Sequence, residues 1–335
     1  MWVLSSQGSV EGKRELKQGK MTNPVSNHDM KVFSGLSNPG LSRKIAKYCG
    51  VKLSSADFNI CTNGESEVEI QDSVRGKNVY VVQSSGRDTN NHLMGLLLFI
   101  QACKLAGARR ITAVLPMLPY ARGDHKQPDR RMPIPAKIIA GILETAGVSQ
   151  VITVDIHSPQ TEAFFSIPVD CLTTRFLFEC WVKENVSGWE SSVVCSPDEG
   201  GTRRAGMLAE RLRLPMALIH RDRLNSEHII SGDVKNKTVI LVDDMVDTCY
   251  TLLNALNHLV NVGGAASIYI LVTHAVLSQV PGELFQHPQL KRMVVSNTVT
   301  EDYGHLSEKI TVLDVSDVIG EAIRNQNKIK MYFHA

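Results

Sequence analysis

Short runs of β-branched residues recur along the chain at 31–34, 78–83 (NVYVVQ), 110–115 (RITAVL) and 150–155 (QVITVD). They are mostly apolar on both faces, a pattern that predicts buried parallel strands. Between them, windows at 39–48, 92–106 and 133–146 place apolar residues three and four positions apart and end near Gly50, Gly107 and Gly147, so they predict helices. The rhythm restarts at 192–196 (SVVCS), 216–220 (MALIH), 238–243 (TVILVD), 267–273 (SIYILVT) and 293–297 (MVVSN), with helical windows at 202–213 and 248–262. Such alternation predicts an α/β fold, two doubly wound layers of similar size that meet near residues 165–180. No Pro- or Ser-rich linker marks the junction, which predicts an extensive interface, and the repeated rhythm is compatible with duplication of one fold.

Length and composition narrow the picture. At roughly 150 residues per domain, 335 residues imply two. The 36 Lys and Arg residues against 34 Asp and Glu leave a formal charge of +2, so no global field argues for nucleic acid or an anionic membrane. The longest strongly apolar run, 93–100, falls far short of the ~20 residues of a spanning helix. Residues 1–29 carry Glu11, Glu15 and Asp29 with no apolar core, which fits neither a secretory signal nor a transit peptide and reads as a polar, disordered tail. Seven cysteines, an odd number without a CxxC pair, argue against a disulfide framework or thiolate zinc site and for a reducing, cytoplasmic setting.

The candidate chemistry lies where strands end. There is no GxxxxGK[ST] and no GxGxxG after a strand. In 238–251, TVILVDDMVDTCYT, an apolar strand runs into Asp243 and Asp244, and Asp247 and Thr248 precede a helical window. Free N–H groups at a helix N-terminus bind phosphate, and carboxylates there can take sugar hydroxyls or a divalent cation; the blander reading is a capped helix. In 196–204, SPDEGGTRR, two glycines allow a backbone concavity for phosphate oxygens, Arg203 and Arg204 add charge, and Asp198 could hold a metal; an ordinary turn reads the same way. His157, in VDIHSPQ, follows a strand end, although a lone histidine is more often structural. The loop 118–131 concentrates Arg122, Lys126, Arg130 and Arg131.

Together these loops resemble one family, ribose-phosphate diphosphokinase, also called phosphoribosyl pyrophosphate synthetase. The likeness runs from Lys31 to about Phe333 through VFSG, SVRGKNVYVVQS, ACKLAGARRITAVLPMLPYAR, the DIH segment, SPDEGGTRR and LVDDMVDT. It implies two tandem phosphoribosyltransferase-like domains, each a mainly parallel sheet flanked by helices: 30–175 on the ATP side and 176–335 on the ribose 5-phosphate side, with the last helix free to pack back on the first domain. It implies attack of the anomeric hydroxyl of ribose 5-phosphate on the β-phosphorus of ATP, giving phosphoribosyl diphosphate and AMP, in dimers that assemble into homo- or hetero-hexamers. By the same likeness, Asp243, Asp244, Asp247, Thr248, Cys249, Tyr250 and Thr251 form the ribose 5-phosphate loop. Asp198, Glu199, Gly200, Gly201, Thr202 and Arg203 form the diphosphate loop, and His157 and Asp198 ligate Mg2+. Cys61, Asn63 and Glu65 hold the adenine end of ATP across a subunit boundary, with Arg122, Asp124 and His157 on its other side, and Arg221 and Arg223 are the catalytic cations.

Four positions depart from the family pattern. Arg221 stands for the usual lysine, a planar fork in place of a compact ammonium. Tyr250 replaces a glycine, which implies strain of ~1–2 kcal/mol if that position needs φ > 0, and a phenol in the phosphate's space. Cys61 replaces an aromatic that stacks on adenine. Gly123 replaces a polar contact, ahead of a segment, 124–135, that is one residue longer. Two alternatives to an active enzyme follow: a weakly active or inactive regulatory subunit of a mixed hexamer, and, more distantly, a type I phosphoribosyltransferase, against which the second full α/β half argues.

Overall fold

The computed structural model describes residues 29–126, 129–221, 228–300 and 302–328. The first half comprises β1 (Met30–Ser34), α1 (Pro39–Tyr48), β2 (Leu53–Ser54), the hairpin β3 (Ala56–Ile60) and β4 (Ser66–Ile70), β5 (Asn78–Val82), α2 (Thr89–Leu105), β6 (Arg110–Leu115), α3 (Pro135–Ala146), β7 (Gln150–Val154) and β8 (Val169–Leu172). The second comprises α4 (Arg175–Asn185), β9 (Val193–Ser196), α5 (Thr202–Leu212), β10 (Met216–Arg221), β11 (His228–Ser231), β12 (Thr238–Val246), α6 (Tyr250–Asn261), β13 (Ser267–Ala275), α7 (Gly282–Gln286), β14 (Leu290–Ser296), β15 (Ile310–Leu313) and α8 (Ser316–Lys328).

Local chemistry explains these boundaries. Asn38 Oδ1 accepts the Leu41 N–H at 3.1 Å and Pro39 opens α1, whose Leu41, Ile45 and Ala46 are buried. Gly147 ends α3 in a left-handed conformation, φ 117°. Every residue of β5 and β7 is buried, as strands covered on both faces must be.

The first sheet is parallel throughout, in the order β2-β1-β5-β6-β7-β8. The second runs β11-β10-β9-β12-β13-β14-β15 and is parallel except for edge strand β11. Without β11, the two sheets take their strands in the same order, and each receives its insertion between the second and third strands. The register makes the repeat residue-specific. Phe33 pairs with Val81 as Cys195 pairs with Leu241, and Val154 pairs with Leu172 as Ser296 pairs with Leu313. Asp155 Oδ2 accepts the Thr174 N–H (3.1 Å), and Asn297 Oδ1 accepts the Val315 N–H (2.9 Å) at the equivalent place.

The halves meet through buried polar contacts. Asp155 Oδ2 also accepts the Thr273 hydroxyl at 2.8 Å. His274, 1% exposed, donates from Nε2 to Val154 O at 3.0 Å and accepts the Thr298 hydroxyl on Nδ1 at 2.9 Å. Asn38 Nδ2 donates to Asn297 O, and Ser84 Oγ to Thr298 O. The helix α4 joins the second core through Phe178, Trp181 and Val182, whereas Val315, Ile319 and Ile323 return to the first, among Val32, Leu41, Ile45 and Tyr80. A Cβ at Gly320 would lie 2.5 Å from the Tyr48 ring, so the approach of α8 to α1 requires glycine.

The α/β reading and the parallel sheets agree with the sequence pattern. The strand expected at 238–243 runs on to Val246, carrying the acidic residues in extended backbone. The sequence pattern did not predict β2, β3, β4, β8, β11 and β15, which are short or half-exposed.

Burial holds the His274 pKa below its ordinary value of about 6.5. The folded chain therefore refuses a proton that the unfolded chain accepts, and stability falls as pH drops below about 6.5. We expect the gap in thermal midpoint between wild type and His274→Gln to narrow from pH 7.5 to pH 5.5. A gap independent of pH contradicts this role.

Candidate active site

Strand order reverses between β9 and β12, and the loops leaving their carboxyl ends flank the crevice where doubly wound sheets bind ligands. After β9, Ser196 Oγ donates to Asp198 O (2.7 Å) and Asp198 Oδ1 accepts the Gly201 N–H (2.9 Å), folding the loop tightly. A Cβ at Gly201 would lie 2.6 Å from Ser196 Oγ, so glycine is needed there. Neither α5 nor α6 has a side-chain cap, which leaves two helix N-termini for an anion. Before α6 the left-handed residue is Cys249, φ 60°, and not Tyr250. The strain expected at Tyr250 therefore belongs to its neighbour. Tyr250 is 57% exposed and does not line the cavity below it, so the phenol does not fill that space.

Asp244 is the centre of the site. Its Oδ2 accepts Nδ1–H of His157, carried past β7 of the first half, at 2.7 Å, and its Oδ1 accepts Arg204 Nη1 of α5 at 3.2 Å. Burial alone would raise the Asp244 pKa, but the His157 hydrogen bond and the Arg204 charge hold it below the usual carboxylate range. Asp243 moves the other way, raised by burial and by the neighbouring Asp244 charge. The hydrogen bond to Asp244 raises the His157 pKa against the effect of burial. The two adjacent acids are thus driven apart in protonation, a signature of a working site.

Two cavities share this centre. One of about 250 Å3 is lined by Arg122, His157, Asp198, Asp243, Asp244, Asp247, Thr248, Cys249 and Thr251. The other, about 680 Å3, extends past Gly200, Gly201, Arg203 and Asp124. Most of the residues singled out in the sequence therefore converge. Glu199 and Thr202 lie in the loop between β9 and α5 but line neither cavity. Cys61, Asn63 and Glu65 form the turn of the β3–β4 hairpin, closed by Cys61 N–H to Glu65 O at 2.8 Å, and also line neither. The backbone of Arg221 ends β10; its side chain and Arg223, like the tail before residue 29, lie outside the described residues.

Sequence reading gave Arg204 only a general charge, yet it completes the Asp244 centre. It missed Arg175 altogether. Arg175 lines the larger cavity, held by Thr173 Oγ1 at 2.9 Å and beside Met207 Sδ, with no ion pair among the described residues. No motif surrounds it; packing of α4 on α5 brings it to the cleft.

Two family models match the chain in order: the N-terminal domain of ribose phosphate pyrophosphokinase over residues 30–147 and the phosphoribosyl synthetase-associated domain over residues 227–333. The chain belongs to the ribose phosphate pyrophosphokinase family. It is similar to the crystal structure of phosphoribosylpyrophosphate synthetase from Mycobacterium smegmatis at 36% identity, covering 88% of this chain and 98% of that one, with a TM-score of 0.82. Orotate phosphoribosyltransferase from Aeropyrum pernix aligns at 24% identity over 35% of this chain and 68% of that one, with a TM-score of 0.28.

Pyrophosphokinases of this family use Mg2+, and the donor set here fits that ion. Among the described residues no three His, Cys, Asp or Glu side chains cluster as a cage. Mg2+ seldom uses one, taking one or two protein ligands and completing its shell with substrate phosphates and water. His157 and Asp198 share one cavity, and with the His157 Nδ1 proton on Asp244 its Nε2 keeps a lone pair.

For this pyrophosphokinase chain, Arg204→Met removes one of two partners of a buried carboxylate, and urea unfolding should show a loss of about 1–3 kcal/mol. The exposed Arg203→Met should change stability by less than about 0.5 kcal/mol. Equal effects contradict the role of Arg204.

Proposed function

We infer the following residue roles for the reaction of a ribose-phosphate diphosphokinase, transfer of the β,γ-diphosphoryl group of ATP to the anomeric hydroxyl of ribose 5-phosphate with release of AMP. The observation that carries the reading is the Asp244 centre, which sets two acids and a histidine between two uncapped helix N-termini. The sugar phosphate takes the N-terminus of α6, with Thr248 and Thr251 as hydroxyl donors. Asp243 and Asp247 take ribose hydroxyls, leaving the anomeric oxygen directed along the cleft. The diphosphoryl group lies at the N-terminus of α5, beside Arg203 and Arg175. Joining two polyanions is chiefly a matter of position and charge neutralisation, so no nucleophilic side chain is needed. The Mg2+ held by His157 and Asp198 offsets phosphate charge, and Arg221 and Arg223 add cations from the segment after β10.

ATP enters along the larger cavity past Arg122 and Asp124, and the adenine is held by Cys61, Asn63 and Glu65 of a second subunit's hairpin. That hairpin turn lines neither cavity of its own chain, which supports a site shared between subunits in dimers that build a hexamer. We divide the chain at residues 175 and 176, between a first domain on the ATP side and a second on the sugar side, and place it in the cytoplasm. The family match, with His157, Asp198 and all the proposed sugar positions except Tyr250 around one crevice, favours an enzyme over a regulatory subunit.

Incubation of the purified chain with ATP, Mg2+ and ribose 5-phosphate, followed by 31P NMR, should show the product diphosphate and AMP; hydrolysis of ATP without a sugar diphosphate contradicts the reading. Tyr250→Gly should change the KM for ribose 5-phosphate less than about threefold, because exposed positions contribute little. A tenfold or larger gain in turnover would place the phenol in the substrate's path.

A further inference from the structure

The duplication gives the first sheet a switch point of its own, between β1 and β5, so the loops of the two halves can be compared residue by residue. Counting from the paired residues Val81 and Leu241, Gln83 stands where the second sheet has Asp243, Ser84 where it has Asp244, and Arg87 where it has Asp247. Ala113 and Ile270 are the partners of Val81 and Leu241 on the next strands. Counting from them, Tyr120 stands where the second half has Leu277, and Ala121 where it has Ser278. Tyr120 and Leu277 are both left-handed, φ 59° and 49°, so the turn belongs to the scaffold of each half. What differs is the chemistry at the two places: arginine and alanine in the first half, aspartate and serine in the second.

In the second half these two side chains are bonded. Val276 N–H donates to Val246 O at 2.8 Å, which carries the pairing of β12 and β13 past the strand end. Leu277 then turns the chain, and burial of its side chain, 1% exposed, offsets the ~1–2 kcal/mol that a left-handed residue costs. Its carbonyl accepts Arg87 Nη2 of the first half at 2.5 Å. The turn directs both the N–H of Ser278 (3.2 Å) and its hydroxyl at Asp247 Oδ1. Asp247 Oδ2 has no hydrogen-bond partner among the described residues. Two donors on one oxygen fix the rotation of the carboxylate and leave the other oxygen its lone pairs. Asp247 lines the cavity of about 250 Å3, whereas Ser278 does not, so any effect of Ser278 on a ligand there runs through Asp247.

We propose that Ser278 is a positioning residue of the sugar site: it holds Asp247 Oδ1 so that Oδ2 is set to accept a ribose hydroxyl. The proposal rests on the reading of Asp247 as a ribose ligand given above. A carboxylate already fixed before the sugar arrives loses less rotational freedom on binding, so the serine acts on affinity for the sugar.

The test is calorimetric titration of the full chain with ribose 5-phosphate, which needs no turnover. Ser278→Ala should raise the Kd about three- to tenfold, with the thermal midpoint and the affinity for Mg-ATP kept. Ser278→Thr, which retains the hydroxyl at an exposed position, should bring the Kd back to within about twofold of wild type. In an Asp247→Ala background, Ser278→Ala should change the Kd less than about twofold, because effects that run through one side chain do not add. An undiminished loss in that background would make Ser278 a support of the loop alone and overturns the proposal. So does a loss in Asp247→Ala without one in Ser278→Ala, which leaves Asp247 as a ribose ligand. A Kd unchanged by Asp247→Ala overturns that reading and the proposal together.

Discussion

Asp244 keeps a negative charge at a place almost closed to water, and the molecule is arranged around meeting that cost. An unpaired buried carboxylate would take up a proton; this one is held ionised by His157 from one half and Arg204 from the other. The same contact joins the two sheets, aims the free nitrogen of His157 into the cleft and lets the adjacent Asp243 sit in a different protonation regime. One carboxylate therefore contributes at once to stability, to domain apposition and to the chemistry of the site.

The duplication explains why this can happen once per chain. Each sheet has a switch point, and each half offers a loop to the other's: His157 reaches Asp244, while Thr298 reaches Ser84. At one switch point acids meet a histidine and an arginine around an open crevice. Where glutamine and serine stand, the hydroxyl and amide close on backbone. One architecture yields two unlike places because a few side chains at strand ends differ, while the strands themselves need only be apolar.

Much of this was legible in the amino-acid sequence. Buried parallel strands announce themselves as apolar runs, and the loops at their ends carry the acidic and glycine-rich motifs, so Asp198, His157 and Asp243 to Thr251 could be named before any geometry. Hidden from view were features that depend on packing across long sequence separations. Arg204 looked like surface charge until Asp244 was set beside it, and Arg175 carries no motif. The backbone demand in the loop between β12 and α6 was one residue away from where the family's glycine suggested, because the helix begins at Tyr250 and its cap, Cys249, takes the left-handed turn. The hairpin β3–β4 alternates half-exposed residues and lacks the continuous apolar signal.

The most direct measurement of the central claim is a double-mutant cycle on kcat/KM with His157→Ala, Asp244→Asn and the pair. If Asp244 works by holding His157, the single losses overlap and the coupling energy is about 0.5–3 kcal/mol. Losses that simply add would mean that the two residues act independently, and would contradict the account.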